Sequence, residues 1–283
     1  MAVTLDIDAG FCRPLITVHV PVSERDRHVA ILYFHGGGLL YGDRNDLPMP
    51  YIRLLVEAGY TLYCIDYPLA PESPLAHIRA SIVNAWRWFA HRQMEAHGFE
   101  RYILFGRSAG AYLALLLATD VRALPHAPQP SGIMSFYGFC DVSQPFFTQS
   151  DATYAKLPSV SSDTVAALTR GETVTNGSKE LRFALYVHAR QQGSWPELLG
   201  IERHETARYS LSAKAMALLP PLFVTASTGD KDVPFSESKR LARTARNAVM
   251  RPVYDLEHDF DRDTKNPVGL SIYREAVAWL NGL

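Results

Sequence analysis

A serine stands between two glycines at Gly106-Arg107-Ser108-Ala109-Gly110, where an apolar run ends and a helix-forming run begins within Tyr102–Asp120. Strand, sharp turn and helix in that order are the setting in which a G-x-S-x-G serine is presented as a nucleophile. So tight a turn brings the residues two before and two after the serine against their neighbours, and glycine removes the side chain that would collide. A hydroxyl is a poor nucleophile until a base takes its proton, and the base needs a third group to orient it. Two acids, Asp230 and Asp232, follow the apolar run PPLFVTAS at 220–227, and His258 follows a last short strand, in LEHDFD. Serine, acid and histidine in that order, each past a strand end, suit acyl transfer through an activated serine. Asp232 is the preferred acid, because Val-Pro-Phe-Ser after it reads as a helix start and leaves it on the loop just before; Asp230 stays as the alternative.

Each of these residues also has an ordinary reading. Ser108 fits a plain strand-to-helix turn, His258 a surface position, and either aspartate a loop or helix cap. Their joint placement is what argues for chemistry. Acyl transfer further needs donors for the oxyanion that develops on the carbonyl oxygen. The Ala109 N–H, next after the serine, is one. The run His35-Gly36-Gly37-Gly38 supplies others, since glycines without Cβ let backbone N–H groups come close.

The elements that must position these residues follow from pattern. Ile16–Val20 and Val29–Phe34 read as strands, the second apolar throughout and so covered on both faces. A helix is expected over Met49–Ala58, closed by Gly59, then a strand at YTLYCIDY, then a helix over Ala76–His97 ending at Gly98. After the serine turn and its helix come a strand at 132–138, a strand at 220–227, a helix over Ser236–Asn247, a strand over Arg251–Leu256 and a closing helix over Val268–Asn281. Strands alternating with helices predict an α/β fold with a doubly wound, mostly parallel sheet. The rhythm breaks over 139–209, which is richer in Ser, Thr and Gln. This segment is expected to be an inserted, mainly helical lid on a catalytic domain made of 1–138 and 210–283.

Composition narrows the function classes. The 283 residues are 47% hydrophobic and 20% charged, enough for a substantial core. Lys plus Arg number 28 against 29 for Asp plus Glu, a net charge of −1, so nothing points to nucleic acid or to anionic lipid. Cys12, Cys64 and Cys140 are scattered, with no CxxC pair to hold a metal or serve as a redox centre. The first residues form no apolar signal segment, and no apolar run approaches the roughly 18 residues of a membrane span. The expectation is a soluble, cytoplasmic protein.

HGGG at 35–38, DYPLAPE at 66–72 and GRSAG at 106–110, in that order, resemble the hormone-sensitive-lipase-like esterase branch of the α/β-hydrolase fold. That branch typically shows HGGG, D-Y-R-L-A-P-E and G-D-S-A-G, with an acid and a histidine later. The resemblance spans the catalytic domain, with His258 in HDF where the family usually has HGF. It implies that Gly37 and Gly38 join Ala109 as oxyanion donors, and that His35, Asp66 and Glu72 act as supports near the serine turn. Read from the residues alone, Asp66 and Glu72 are acids in a proline-fixed loop after a strand, with a structural role. Pro68 and Arg107 depart from the pattern, standing where the branch has an arginine and an acid. Arg107 is expected to pair with a carboxylate of the lid or to face solvent. Because only residues 1–34 precede HGGG, cover for the site is expected chiefly from 139–209. Phe146, Phe147, Tyr154, Phe183, Tyr186 and Trp195 are candidates there for a pocket lining, although an aromatic residue at helical spacing is more often ordinary core.

The expectation is a serine carboxylic-ester hydrolase acting on a small-molecule ester through Ser108, His258 and Asp232, without metal or organic cofactor. An amidase, formamidase or peptidase would use the same acyl-enzyme chemistry. A binding protein that kept the fold and lost catalysis is the alternative from another class.

Overall fold

Val29–Phe34 is apolar and buried at every position, and its alternate side chains go to two different cores. Val29, Ile31 and Tyr33 join one cluster, while Ala30, Leu32 and Phe34 join the other. That is the signature of a strand with helices on both sides. In the computed structural model, which describes residues 2–10, 12–169 and 171–283 and at 203 the backbone alone, this strand is β3 of eight. The others are β1 (Ala2–Asp6), β2 (Leu15–His19), β4 (Tyr60–Ile65), β5 (Arg101–Arg107), β6 (Gly132–Phe136), β7 (Leu222–Ser227) and β8 (Ala248–Val253). They form one sheet in the order β1-β2-β4-β3-β5-β6-β7-β8. β1 and β2 run antiparallel at one edge, and β3 to β8 are parallel to one another. This is the mostly parallel, doubly wound α/β sheet that the alternation predicts.

Helices Met49–Glu57 and Pro267–Leu280 bury Tyr51, Ile52, Ile272 and Tyr273 on one face. Leu75–Trp88 and Ala109–Arg122 cover the other. The helix expected to run to His97 passes through a π-helical turn at Phe89–Gln93 before it ends. The last strand lies three residues earlier than expected, over Ala248–Val253. It tolerates Pro252 because it is an edge strand, and Asp255, at φ +56°, breaks the extended run. β1 was not expected; its residues are mostly exposed, so it carries no burial pattern to read.

Strand order decides which loops meet. β4 lies on one side of β3 and β5 on the other, so the chain reverses direction across the sheet there. Ligands of open α/β sheets bind beyond the carboxyl ends of the strands at such a reversal. The glycine run leaves β3 and the serine leaves β5, two neighbouring strands, so the two loops are set side by side. Between β6 and β7 the described residues form helices and turns, the longest helix being Lys179–Gln192. Among the described residues no helix is long and apolar enough to cross a membrane.

The turn at Ser108 depends on its glycines. A Cβ on Gly106 would lie 2.1 Å from the Gly110 carbonyl carbon, and one on Gly110 would lie 2.0 Å from the Phe34 carbonyl oxygen. Both obstacles are backbone, so no side-chain rotation relieves them. Gly110→Ala is therefore expected to cost about 1–3 kcal/mol or more of stability by overpacking. A urea melt checks it, and an unchanged midpoint would mean that the helix can slide away from β3.

Candidate active site

Ser108 sits at φ +52° and ψ −120°, a strained backbone for a residue with a Cβ, immediately before the helix Ala109–Arg122. Its N–H is taken by the Phe136 carbonyl at 2.8 Å, which ties the turn to the end of β6. The Oγ lies 2.8 Å from His258 Nε2, and His258 Nδ1 lies 2.6 Å from Asp230 Oδ2. With Nδ1–H donating to the carboxylate, Nε2 accepts the serine proton, and the three side chains form one hydrogen-bonded line. Burial alone would depress the His258 imidazole; the charge and hydrogen bond of Asp230 outweigh it, and its pKa lies above the ordinary value.

The acid in this line is Asp230, and Asp232 makes no hydrogen bond to His258. Gly229 explains the difference. A Cβ there would lie 2.7 Å from the Leu256 carbonyl oxygen, so the end of β7 is pressed against the strand-end segment leading to His258. Ser227 Oγ reinforces the contact, accepting from the Leu256 N–H at 3.0 Å and donating to its carbonyl at 2.6 Å. Residue 230 then faces residue 258. Its Oδ1 accepts the Asp232 and Val233 N–H groups at 2.8 and 2.9 Å, which turns Oδ2 toward the imidazole. Asp232 does stand on the loop just before the helix Phe235–Thr244, as the sequence suggested, but that position does not turn its carboxylate toward the imidazole. The glycine directly before Asp230 is the signal that favours it.

Asp232 turns the other way. Its Oδ1 accepts from the Tyr154 hydroxyl and lies 3.6 Å from Arg190. Arg190 is 1% exposed, donates to Tyr186, Asp151 and the Asp232 carbonyl, and lies among the rings of Tyr154, Tyr186 and Trp195.

The glycine run stands against the serine. A Cβ on Gly36 would lie 3.4 Å from Ser108 Cβ. Gly37 and Gly38 have φ of +100° and +63°, open to glycine and strained for other residues. The N–H groups of Gly37, Gly38 and Ala109 donate to no acceptor among the described residues. Gly37 and Gly38 line a cavity together with Ser108, and the Ala109 N–H lies at a helix N-terminus, where the dipole favours negative charge.

His35, Asp66 and Glu72 brace the glycine loop and the segments around it, and the His35 carbonyl also lies close against Gly110 of the serine turn. His35 stacks on Tyr67 at 4.1 Å, and the Tyr67 hydroxyl donates to the His35 carbonyl. Asp66 accepts from the Arg44 backbone and guanidinium at 2.7 and 2.6 Å; burial nonetheless pushes its carboxyl above the usual range. Glu72 takes a bidentate pair from Arg182 of the helix Lys179–Gln192, and Arg182 also donates to the carbonyls of Leu40 and Ala70. Sequence reasoning missed Trp195 in this role: its indole N–H donates to the Gly38 carbonyl at 3.0 Å.

Arg107 reaches neither a carboxylate of the segment 139–209 nor solvent. It is 5% exposed and donates to the Tyr137 hydroxyl at 2.6 Å, to Asp261 at 2.9 Å and to Asp46 at 3.3 Å. Asp261, 0% exposed, also accepts from Tyr137 and Tyr273 at 2.7 and 2.9 Å. The ring of Tyr137 packs edge-on to His258 at 4.8 Å.

Ser108 and His258 open onto a cavity of about 240 Å³ that is also lined by Tyr41, Tyr137, Tyr186 and Asp232. Of the six aromatic pocket candidates only Tyr186 lines it. Tyr154 lines a second cavity of about 170 Å³ behind Asp232, while Phe147 and Trp195 are stacked in the core. Among the described residues no group of three or more His, Cys, Asp or Glu side chains is placed to hold a metal ion.

The family model described as alpha/beta hydrolase fold matches residues 31–261. The chain is 29% identical to an alpha/beta hydrolase superfamily protein from Enterococcus faecalis, whose structure superposes with a TM-score of 0.88 over 100% of this chain and 99% of that one. The ester-hydrolase EH1AB1 from the metagenome of Lake Arreo shares the fold at 19% identity, with a TM-score of 0.73 over 100% of this chain and 82% of that one. Among curated proteins, a non-reducing polyketide synthase of Penicillium rubens is 28% identical over 165 residues. That match takes in 55% of this chain and 6% of the synthase's length.

Removing Arg107 would leave Asp261 buried without its counter-ion. Arg107→Ala is expected to lower the unfolding free energy by about 3–5 kcal/mol, the usual result of breaking a buried ion pair from one side. Denaturant unfolding measures it; a loss below about 1 kcal/mol would mean that Tyr137 and Tyr273 hold Asp261 unaided.

Proposed function

This chain belongs to the alpha/beta hydrolase fold family, and on that premise we propose that it hydrolyses carboxylic esters through an acyl-enzyme on Ser108. The observation that carries the reading is the line Ser108–His258–Asp230, with its bonds of 2.8 and 2.6 Å, set beside three unengaged backbone donors. In this mechanism His258 takes the Ser108 proton as the hydroxyl attacks the carbonyl carbon. Asp230 holds the imidazole in the required tautomer and stabilises the imidazolium that forms. The N–H groups of Gly37, Gly38 and Ala109 receive the oxyanion, a service worth about 2.7–4 kcal/mol per donor in related sites. His258 then returns its proton to the leaving oxygen. A water, deprotonated by the same imidazole, releases the acid and restores Ser108. The segment 139–209 acts as the lid, its helix Lys179–Gln192 closing one side of the cavity.

Ser108→Ala is expected to abolish hydrolysis of short p-nitrophenyl esters with the circular dichroism spectrum unchanged; full activity would end the assignment. Asp230→Asn should lower kcat by roughly 10³–10⁴-fold, as when the orienting acid of such a triad is neutralised. The loss in Asp232→Asn should be smaller, and the reverse ranking would return the acid's role to position 232.

The raised pKa of His258 fixes a direction in pH. The imidazole works as a base only when neutral, so kcat/KM should climb with pH through a midpoint above the ordinary histidine value. Neutralising Asp230 removes what stabilises the imidazolium, so in Asp230→Asn the residual activity should rise at lower pH. A limb that stays in place would show that Asp230 does not set the base.

A further inference from the structure

We propose that Asp232 determines specificity: its free carboxylate oxygen accepts a hydrogen bond from a hydroxyl or ammonium group on the alcohol half of a short, polar ester. The inference rests on the ester-hydrolase reading and narrows it to a substrate class.

The lining of the cavity is the first observation. Ligand pockets are usually walled by aliphatic and aromatic side chains. Around Ser108 the aromatic surfaces are the rings of Tyr41, Tyr137 and Tyr186, and among the described residues no Leu, Ile, Val, Met, Phe or Trp lines the cavity. The second cavity is likewise without them. At about 240 and 170 Å³ the two spaces suit a compact substrate, and beyond the tyrosine rings their described walls hold no aliphatic hydrophobic side chain to bury a long acyl chain.

The second observation is how Asp232 is held. Its Oδ1 is engaged by the Tyr154 hydroxyl and faces Arg190, whereas its Oδ2 accepts no hydrogen bond among the described residues. The side chain is 24% exposed, and it lines both cavities together with His258 and Asp259. Arg190 is locked beneath it by Tyr186, Asp151 and three rings, so the carboxylate cannot swing away without leaving a buried cation short of charge. A fixed acceptor with one open oxygen is thereby presented on the active-site wall.

Position assigns that oxygen to the alcohol half. The carbonyl oxygen belongs with the Gly37, Gly38 and Ala109 donors, while the leaving oxygen must reach the proton of His258. Asp232 shares the His258 wall of both cavities, so a donor a few bonds beyond the leaving oxygen meets it.

The test is a series of acetate esters with one acyl group: ethyl acetate, glycerol 1-acetate, protonated 2-(dimethylamino)ethyl acetate and acetylcholine. Glycerol 1-acetate offers hydroxyl donors, the protonated amine a cationic donor, and acetylcholine a cation with no donor. In the wild-type protein kcat/KM for the two donor-bearing esters should exceed that for ethyl acetate by about tenfold or more, with acetylcholine below the amine. In Asp232→Asn the ratio of the amine ester to ethyl acetate should fall by about tenfold, because a charge-assisted hydrogen bond becomes a neutral one. Each ratio is taken within one preparation, so a partly unfolded variant still gives a valid reading. All four esters cleaved at similar rates, or a ratio unchanged in Asp232→Asn, overturns the inference alone. Cleavage of none of them by the wild-type protein overturns the ester-hydrolase reading and this inference with it.

Discussion

The guanidinium of Arg107 joins three loops at one buried point. It stands one residue before Ser108 and holds Asp46 beyond the glycine run, Tyr137 at the end of β6, and Asp261 three residues past His258. A buried ion pair adds little net stability, since desolvation offsets much of the attraction. What it does supply is geometry, because a planar fork of donors accepts only one arrangement of its partners. Asp261 is locked from two further sides by Tyr137 and Tyr273, so the His258 loop is registered against β5 through rigid aromatic hydroxyls. The same loops carry Ser108 and His258, whose side chains meet at 2.8 Å.

The two aspartates after β7 show how little sequence separates two tasks. Asp230 is sealed, with no exposed side chain, and its carboxylate serves one imidazole and two backbone N–H groups. Asp232 is partly open and leans on a tyrosine and an arginine from the segment 139–209. Burial and partners, rather than residue type, divide them. Both nevertheless act on His258 in the same electrostatic direction, favouring the imidazolium.

What could be read in the chain was local. The parallel strands, the Ser108 turn and the glycine run announce themselves through contiguous residues: apolar runs, G-x-S-x-G and three successive glycines. His258 was legible because strand order places it. Asp230 was harder, since the choice depends on Gly229 meeting a carbonyl 27 residues later and on Tyr154 claiming Asp232 from 78 residues away. The surroundings of Arg107 could not be read at all, because partners 30, 61 and 154 residues distant converge only once the sheet is built. The aromatic residues of 139–209 divided for a similar reason. Helical spacing shows that a ring is inward, but not whether inward means core or cavity.

The hydrogen bond from Trp195 to Gly38 spans 157 residues, and that from Arg182 to Leu40 spans 142. Contacts of such sequence separation form late, after nearer ones have reduced the entropy of closing the loop. On the ribosome the glycine run emerges long before the residues that steady it have been made. Its strand can pair and its sheet can grow while the loop still lacks its final brace. Completion of the sheet and acquisition of a competent site are thus separate events in the life of the chain. A chain whose central strands are paired but whose segment around Arg182 and Trp195 has not yet docked would lack both of these hydrogen bonds to the glycine loop and its flank.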